Sequence, residues 1–217
     1  MPQASSALES SATGSQLDDI VRALQTTGWI VVPDFLPASD WQPLMLRALA
    51  IDDYNRAAIG RGEQQQVNNG VRTDRVAWME ADDPTDQAWL RRMECLRLAI
   101  NERLFLGLFE HEAHYARYEP GAFYTRHVDA LHGESNRVVS TVLYLNPEWE
   151  PADGGELVLY ADGSSEGRRI SPIAGTLVAF LSEVFAHEVL PTQRTRHSIA
   201  GWFRVNGSTG ARVDPAR

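Results

Sequence analysis

Apolar residues recur at helical spacing in the first half of the chain and in short extended runs in the second half. A first helix is predicted from Ser15, which can cap it, to about Thr27, and Gly28 ends it. Its apolar face consists of Leu17, Ile20, Val21 and Leu24. A second helix opens at residues 37–40, with an apolar stripe of Trp41, Leu44, Met45, Ala48 and Leu49.

The longest predicted helix starts at Asp83-Pro84 and runs to about Leu106. Its buried stripe is expected to consist of Trp89, Met93, Leu96 and Ile100. A helix of this length, placed before a series of strands, is suited to packing against the outside of a sheet.

Short apolar segments separated by turn residues predict a series of strands. They lie at 29–32, 71–79, 111–118, 122–129, 137–145, 154–160, 168–171, 175–180, 185–190 and 198–205. Many short strands at regular spacing are typical of a sandwich or barrel. We therefore predict a mainly β fold with flanking helices. It is a double-stranded β-helix, or jelly roll, of two antiparallel sheets with the N-terminal helices packed on one sheet.

The chain has the length of one ordinary domain. We predict a single domain over 15–207, in which 15–110 supplies the helical support and a loop, and 111–205 forms the jelly-roll core. Small polar residues predict a disordered tail at 1–14, and 208–217 is expected to be a flexible tail.

Residues 55–70 are polar and glycine-rich and have no clear period, which predicts a mobile loop. A structureless segment of this length is either a linker or functional. Because strands are predicted on both sides of it, we favour a functional role.

Composition narrows the function classes. The net charge of -9 argues against general nucleic-acid binding, which needs a basic surface, although it leaves room for a local basic patch that binds an acidic peptide. No apolar run is long enough to span a membrane, and the N-terminus lacks the features of a signal peptide. A single cysteine, Cys95, excludes an internal disulfide and a multi-cysteine metal site. We expect a cytoplasmic monomer.

The stretch 118–129 turns at Pro120-Gly121 and continues into a predicted strand. Residues two apart on a strand point to the same face, so His127 and Asp129 are expected to direct an imidazole and a carboxylate at one point. Such a pair supplies two thirds of the facial triad that binds non-haem iron(II).

A His-x-Asp pair alone is a weak signal, since six histidines and many acidic residues make one match expected by chance. His132-Gly-Glu134 is a second match, but it lies in a segment of turn composition. His111-Glu-Ala-His114 is one residue too short for a zinc-protease helix motif. We therefore prefer the pair at 127 and 129, while any of these histidines can equally be an ordinary surface or core residue.

The best candidate for a third ligand is His187, on a distant strand across the mouth of the barrel. Arg196 follows nine residues later, and a hairpin between the two strands would place its guanidinium deeper in the same cavity. A planar guanidinium suits a carboxylate, so an iron triad with a buried arginine predicts a site for a small dicarboxylate. Tyr144 is either a hydroxyl donor to that carboxylate or an ordinary aromatic residue of its strand.

An ordered set of motifs covers roughly residues 70–205. It includes Tyr-Thr-Arg-His-Val-Asp at 124–129 and the segments 71–78, 116–118, 142–146, 154–157 and 187–196, with Trp202. As a set these motifs resemble the iron(II)/2-oxoglutarate-dependent dioxygenases. The resemblance is greater for the prolyl 4-hydroxylase branch, which includes the hypoxia-inducible-factor prolyl hydroxylases and their bacterial relatives.

The resemblance implies an iron(II) site formed by His127, Asp129 and His187, which with Arg196 make up the catalytic residues. It implies that Arg196 pairs with the 5-carboxylate of 2-oxoglutarate and that Tyr144 donates a hydrogen bond to the same group. The remaining cofactor-binding residues that it implies are Tyr118, near the metal-bound end of 2-oxoglutarate, and Leu157, in the apolar wall. It also implies O2 as a cosubstrate and ascorbate as a further cofactor.

The substrate-binding residues implied by the resemblance are Arg137, Trp202, Asp74 and Trp78. Asp74 and Arg137 correspond to a pair that ties the base of the mobile loop to the barrel. The loop at 55–70 then corresponds to a finger loop that closes over a peptide.

The function implied is hydroxylation of a prolyl residue in a cytoplasmic protein, with succinate and CO2 as products. Some bacterial relatives act on elongation factor Tu, which makes that protein a candidate substrate here. Two alternatives remain open. One is the same chemistry on a non-prolyl or small-molecule substrate, and the other is an oxygen or 2-oxoglutarate sensor without turnover.

Overall fold

The computed structural model describes residues 14–56, 70–130, 135–161 and 163–207. Three sequence predictions therefore lie outside the described residues: the two tails apart from Gly14, the loop over 57–69, and the competing pair His132 and Glu134.

The described residues contain three α-helices: α1 (Gly14–Thr26), α2 (Ala38–Ala50) and α3 (Pro84–Leu104). Helix α1 begins at Gly14, so Ser15 lies in its first turn and the predicted cap is wrong. Helix α3 is capped by Asp83, whose carboxylate accepts hydrogen bonds from two backbone N–H groups of the first turn. No helix in the described part of the chain is long and apolar enough to cross a membrane.

The described residues contain eleven strands, of which ten follow the predicted order, whereas Asn55–Arg56 form a strand at the start of the stretch predicted as a loop. The strands are β1 (Trp29–Val32), β2 (Asn55–Arg56), β3 (Arg75–Trp78), β4 (Leu108–Tyr118), β5 (Tyr124–His127), β6 (Arg137–Tyr144), β7 (Leu157–Tyr160), β8 (Gly167–Ile170), β9 (Leu177–Leu181), β10 (Ala186–Val189) and β11 (Arg196–Val205). The strand expected over 71–79 is shortened to β3, because Arg72 forms only an isolated bridge to Tyr124.

The strands form two antiparallel sheets. The larger has seven strands in the order β1-β9-β6-β11-β4-β3-β2, and the smaller has four in the order β5-β10-β7-β8. The predicted jelly roll is confirmed. Its mixed strand order means that residues far apart in sequence meet between the two sheets.

The three helices pack on the outer face of the seven-stranded sheet. The predicted stripe of α3 is entirely buried there. In α2, Leu44 and Ala48 are buried, but Leu49 is 58% exposed, so that part of the predicted stripe is wrong. Leu49 lies one position beyond Ala48, where the helix has turned towards solvent.

A second apolar cluster lies between the two sheets. It includes Tyr118, Tyr144, Leu157, Val178 and Phe180. Because this cluster closes the interior of the barrel on one side, the polar groups described next sit in a space with an apolar floor.

Candidate active site

The two histidines of the predicted triad lie on neighbouring strands. His127 is the last residue of β5, and His187 on β10 is its direct cross-strand partner. Their ring centroids are 4.2 Å apart. The prediction that His187 reaches the site from across the barrel mouth is therefore wrong, because the jelly-roll connection makes β5 and β10 adjacent in the four-stranded sheet.

Asp129 lies beyond the end of β5, in a bend, so the strand alternation that suggested the pair does not apply to it. Its carboxylate still reaches both histidines, with Oδ1 at 3.7 Å from Nε2 of His127 and Oδ2 at 3.6 Å from Nε2 of His187. Candidate ligand atoms of the three side chains all lie within 4.8 Å of one another. Two imidazoles and one carboxylate in this arrangement are the donor set of a non-haem iron(II) centre.

Ser140 fixes the carboxylate from the opposite sheet. Its hydroxyl, on β6, donates a 2.6 Å hydrogen bond to Oδ2 of Asp129 and lies 2.9 Å from the hydroxyl of Ser182. Sequence reasoning missed both serines. The available signal was a polar residue at an inward position of an otherwise apolar strand, where it needs a buried partner.

Backbone carbonyls set the tautomers of the two imidazoles. Nδ1 of His127 lies 2.8 Å from the carbonyl oxygen of Thr125, and Nδ1 of His187 lies 3.2 Å from that of Phe185. A carbonyl oxygen only accepts, so each Nδ1 carries the proton and each Nε2 presents a lone pair to the centre of the triad.

The protonation states of Asp129 and His187 are suited to metal binding. Burial opposes the charge on Asp129, but the neighbouring His187 and His127 and the hydrogen bond from Ser140 together hold its pKa below its usual range. Burial lowers the pKa of His187 to about 4. A cation therefore finds an ionised carboxylate and a neutral imidazole at neutral pH, which are the forms that bind metals.

Arg196 is the first residue of β11 and is only 1% exposed. Its Nε donates to the carbonyl of Gly155 at 2.9 Å and its Nη1 to the hydroxyl of Ser198 at 3.2 Å. The guanidinium lies between the rings of Tyr118 and Tyr144, at 4.9 and 5.1 Å from their centroids. No carboxylate among the described residues forms an ion pair with it, and a buried unpaired charge is costly, so the site is suited to an anion.

The predicted hairpin between His187 and Arg196 is wrong. Strand β10 belongs to the four-stranded sheet and β11 to the seven-stranded sheet. Arg196 instead pairs in register with Tyr118 of β4. The chain crosses from one sheet to the other between the two residues, and this crossing places the arginine and the histidines on facing walls.

The hydroxyl of Tyr144 is buried and has no hydrogen-bond partner among the described residues. Burial raises its pKa to about 12, so it stays a neutral donor beside Arg196. Burial likewise raises the pKa of Tyr118. Leu157 on β7 is buried in the same apolar cluster. A guanidinium, an unpaired hydroxyl and an apolar wall fit one carboxylate end of 2-oxoglutarate.

Gly155 makes room for this arrangement, which sequence reasoning did not foresee. Its φ is +67°, and a Cβ there would lie 3.1 Å from Cδ of Arg196 and 3.0 Å from the side chain of Thr192. Only glycine combines that backbone conformation with so close an approach.

Trp78, His114, Trp202 and Arg137 form a row of planar groups beside the triad. The ring of His114 lies 5.2 Å from Trp78 and 5.4 Å from Trp202, and the guanidinium carbon of Arg137 lies 3.5 Å from the centroid of Trp202. Trp78 is 45% exposed, so the row opens to solvent at that end. His111 and His114 lie on β4, which confirms that they do not form a helical zinc motif.

The predicted pair between Asp74 and Arg137 is wrong. Asp74 accepts hydrogen bonds at 2.6 and 2.8 Å from Arg72, and Arg137 donates at 2.8 and 3.0 Å to Glu112. Both acids are satisfied by a nearer arginine. Glu112 was missed by sequence reasoning.

Arg72 connects its own segment to the triad. Its guanidinium carbon lies 4.3 Å from the ring centroid of Tyr124, and that ring stacks on His127 at 3.6 Å. The segment that follows residues 57–69 therefore contacts the triad through Arg72 and Tyr124.

Comparisons with known proteins decide the family. A model of the 2OG-Fe(II) oxygenase superfamily matches residues 113–204. The structure of a prolyl-4-hydroxylase from Pseudomonas putida is similar, with a TM-score of 0.80 and 41% sequence identity, covering 88% of this chain and 100% of that one. The chain belongs to the 2OG-Fe(II) oxygenase superfamily.

Two further relatives of this oxygenase are named as prolyl hydroxylases, and a third is named Egl nine homolog 1. Mouse prolyl hydroxylase EGLN3 is 34% identical over 200 residues, which cover 86% of this chain and 82% of that protein. Human Egl nine homolog 1 is 29% identical over 199 residues, and the match spans only 46% of its length. A prolyl hydroxylase of Trichoplax adhaerens, in complex with a peptide fragment of the hypoxia inducible factor oxygen degradation domain, has a TM-score of 0.79 at 26% identity and covers 88% of this chain and 89% of that one.

The superfamily uses Fe(II), 2-oxoglutarate and O2. The donor set of the triad and the unpaired Arg196 fit the first two of these groups. The cofactors that the superfamily uses therefore agree with the side chains found in this site.

Buried histidines outside the triad make the stability of this oxygenase sensitive to acid, and one of them is His111, whose pKa burial lowers to about 3. Burial lowers the pKa of His114 and of His197 from 6.5 to about 4. Both stay neutral in the folded state while the unfolded chain takes up protons below about pH 6.5, so stability is full above that pH and falls towards pH 4. Each unit of pKa difference corresponds to about 1.4 kcal/mol.

We therefore expect the free energy of unfolding, measured with urea, to be several kcal/mol lower at pH 5 than at pH 7.5. A His114→Gln, His197→Gln double variant is expected to show a flatter pH dependence, whatever its absolute stability. Equal slopes in the two proteins would contradict this assignment.

Proposed function

We propose that the protein is an Fe(II)- and 2-oxoglutarate-dependent dioxygenase that hydroxylates a prolyl residue in a cytoplasmic protein. The observation that carries this proposal is Arg196, a buried guanidinium without a carboxylate partner in the described part of the chain, placed inside the barrel with the histidine–carboxylate triad. A buried cation without an ion-pair partner is costly, so a bound anion would stabilise it. 2-Oxoglutarate has two carboxylates, and the one that is not on the metal would be available to Arg196.

In this proposal His127, Asp129 and His187 hold iron(II). Arg196 and Tyr144 bind the 5-carboxylate of 2-oxoglutarate, Tyr118 lies near the metal-bound end, and Leu157 limits the width of the pocket. When bound, iron with 2-oxoglutarate and O2 supplies the oxidant. One oxygen atom enters a C–H bond of the substrate, and the other enters 2-oxoglutarate as it becomes succinate and CO2.

The protein orients the substrate and excludes water. Proline has no backbone N–H, so its recognition depends on its ring, its carbonyl and its neighbours. Trp78 and Trp202 offer flat apolar faces, and Arg137 offers a donor for a backbone carbonyl of the substrate. Asp74 holds Arg72 beside the triad. The proposed substrate-binding residues are Trp78, Trp202, Arg137 and Asp74.

The likeness to prolyl hydroxylases, including one in complex with a peptide fragment, supports a proline-containing peptide or protein as substrate. We infer elongation factor Tu as the first candidate. The proposal further includes one domain over 15–207, a finger loop at 55–70 that closes over the peptide, a monomeric state, a cytoplasmic location, and ascorbate as a reductant that sustains turnover.

The test is mass spectrometry of proline-containing peptides tiled across elongation factor Tu, incubated with the protein, Fe(II), 2-oxoglutarate and air. A gain of one oxygen atom on a prolyl residue, with matching succinate, is the expected result. Controls omit iron, omit 2-oxoglutarate, or replace the target proline by alanine.

Other outcomes separate the alternatives. Succinate formation stimulated by a small molecule or a proline-free peptide would favour a different substrate class. Binding of iron and 2-oxoglutarate without any stimulated succinate formation would favour a sensor.

A further inference from the structure

Three arginines lie side by side on adjacent strands at one edge of the seven-stranded sheet. Arg56 on β2 is the direct cross-strand partner of Arg75 on β3, which is in turn the partner of Arg117 on β4. Directly opposed residues point to the same face, so the three side chains form a row about 5 Å apart, called the arginine row below. Arg56 and Arg75 are exposed, and the side chain of Arg117 is 32% exposed.

The charge of the arginine row is only partly balanced. Arg117 pairs with Glu119 at 2.7 Å, but its Nε is buried and has no hydrogen-bond partner. Neither Arg56 nor Arg75 forms an ion pair with any residue that the structure describes. The exposed acids Asp52 and Asp53 precede β2 but pair with none of the three arginines.

Like charges directly opposite each other destabilise a sheet. The row therefore has an energetic cost that a bound anion would offset. The protein as a whole carries a net charge of -9, so an acidic partner is repelled at a distance and attracted only at such a local positive patch. This combination favours one orientation of an acidic partner over all others.

The position of the row relates it to the substrate. Arg75 and Trp78 belong to the same short strand, about 10 Å apart along it. The row lies on the helix-covered face with Ala77, whereas Trp78 faces the barrel side with His114. A partner that contacts both must cross the sheet edge at β2, which a folded protein or a long segment can do and a short peptide cannot.

We propose that the arginine row is a docking site for an acidic stretch of the protein substrate, outside the segment that carries the hydroxylated residue. This inference rests on the proposed function for the identity of the partner. Carboxylates suit the row because guanidinium groups bind them in bidentate geometry. Three cations on an acidic protein give too small a positive surface for nucleic acid.

The direct test measures binding without turnover. A fluorescein-labelled oligoglutamate peptide is titrated with the wild-type protein, with an Arg56→Glu, Arg75→Glu variant, and with an Arg168→Glu, Arg169→Glu control. The control reverses the same charge at two exposed positions of β8, in the other sheet. Fluorescence anisotropy should show salt-sensitive binding to wild type and control, and binding weakened about tenfold or more in the β2–β3 variant.

An Arg56→Gln, Arg75→Gln variant keeps the side chains polar without reversing their charge and should show an intermediate loss. Equal affinity of all variants would overturn the proposal, as would tighter binding of a single-stranded oligonucleotide than of oligoglutamate.

Kinetics provide the second test. With a whole protein substrate, the β2–β3 charge reversal should raise KM about tenfold and leave kcat unchanged. With a short proline peptide lacking acidic residues, an Arg75→Glu single variant, whose substitution lies outside the proposed finger loop, should leave both constants unchanged. If wild type hydroxylates no protein, the proposed function fails, but the anisotropy experiment still decides whether the row binds an acidic chain.

Discussion

Replacing His127 with alanine is expected to abolish iron binding and turnover together. His127 supplies one of three ligand atoms that lie within 4.8 Å of one another, and an imidazole cannot be replaced by a methyl group as a donor. We expect a loss of activity of more than about 100-fold, because even the partners behind a metal ligand contribute about 10- to 100-fold to metal affinity. Iron content by metal analysis and succinate formation are the two measurements.

The matched control is His132→Ala, which removes the histidine of the competing His-x-Glu motif. His132→Ala should retain both iron and activity. If it lost iron while His127→Ala kept iron, the competing motif would be the metal site instead.

The iron affinity of Ser140→Ala is expected to lie between those of the wild type and His127→Ala. This substitution removes the hydrogen bond to Asp129 but no ligand, so iron affinity should fall by about 10- to 100-fold.

Replacing Arg196 with alanine is expected to raise the concentration of 2-oxoglutarate required for turnover by about 100-fold or more. Removing one member of a buried ion pair costs about 3–5 kcal/mol, since the other charge is left without a partner. The measurements are KM for 2-oxoglutarate and its dissociation constant in the presence of iron. An unchanged requirement in a folded variant would exclude Arg196 from the site.

Two further variants separate charge from geometry at this position. Arg196→Lys keeps the charge but loses the planar fork and the bond to Gly155, so an intermediate requirement is expected. Tyr144→Phe removes a hydroxyl that has no partner among the described residues, and should raise KM about three- to tenfold without lowering stability.

The elements of the fold could be predicted from the sequence because their signals are local. The stripe of α3 has helical spacing, and turn residues separate the short apolar strands. Exact ends were less accessible: β3 is four residues long although the sequence pattern extends over 71–79. Whether residues such as Arg72 join a ladder depends on the neighbouring strand, which the sequence does not display.

The sequence predicted which residues belong to the candidate site better than it predicted the strands and contacts that bring them together. His127 and His187 were expected from facing strands, but they are direct neighbours on β5 and β10. The predicted partner of Asp74 was wrong because ion pairs are chosen by distance in the folded state. Ser140 and Glu112 left no motif, since each acts only through a residue far away in sequence. Gly155 belongs to the motif segment 154–157, but its close approach to Arg196 depends on the folded state.

The bond from Ser140 to Asp129 has a mechanical consequence. Both histidines of the triad belong to the smaller sheet, whereas the carboxylate is tethered to the larger one, so a metal held by all three would act as a cross-link between the two layers. If a chelator removed the metal, the two sheets would separate more easily at the end that holds the triad. The other end, which is filled by Tyr118, Tyr144 and Arg196, would stay closed. Hydrogen exchange of the backbone amides would detect this opening. After removal of iron, exchange should be faster in β5 and β10 than in β4 and β11.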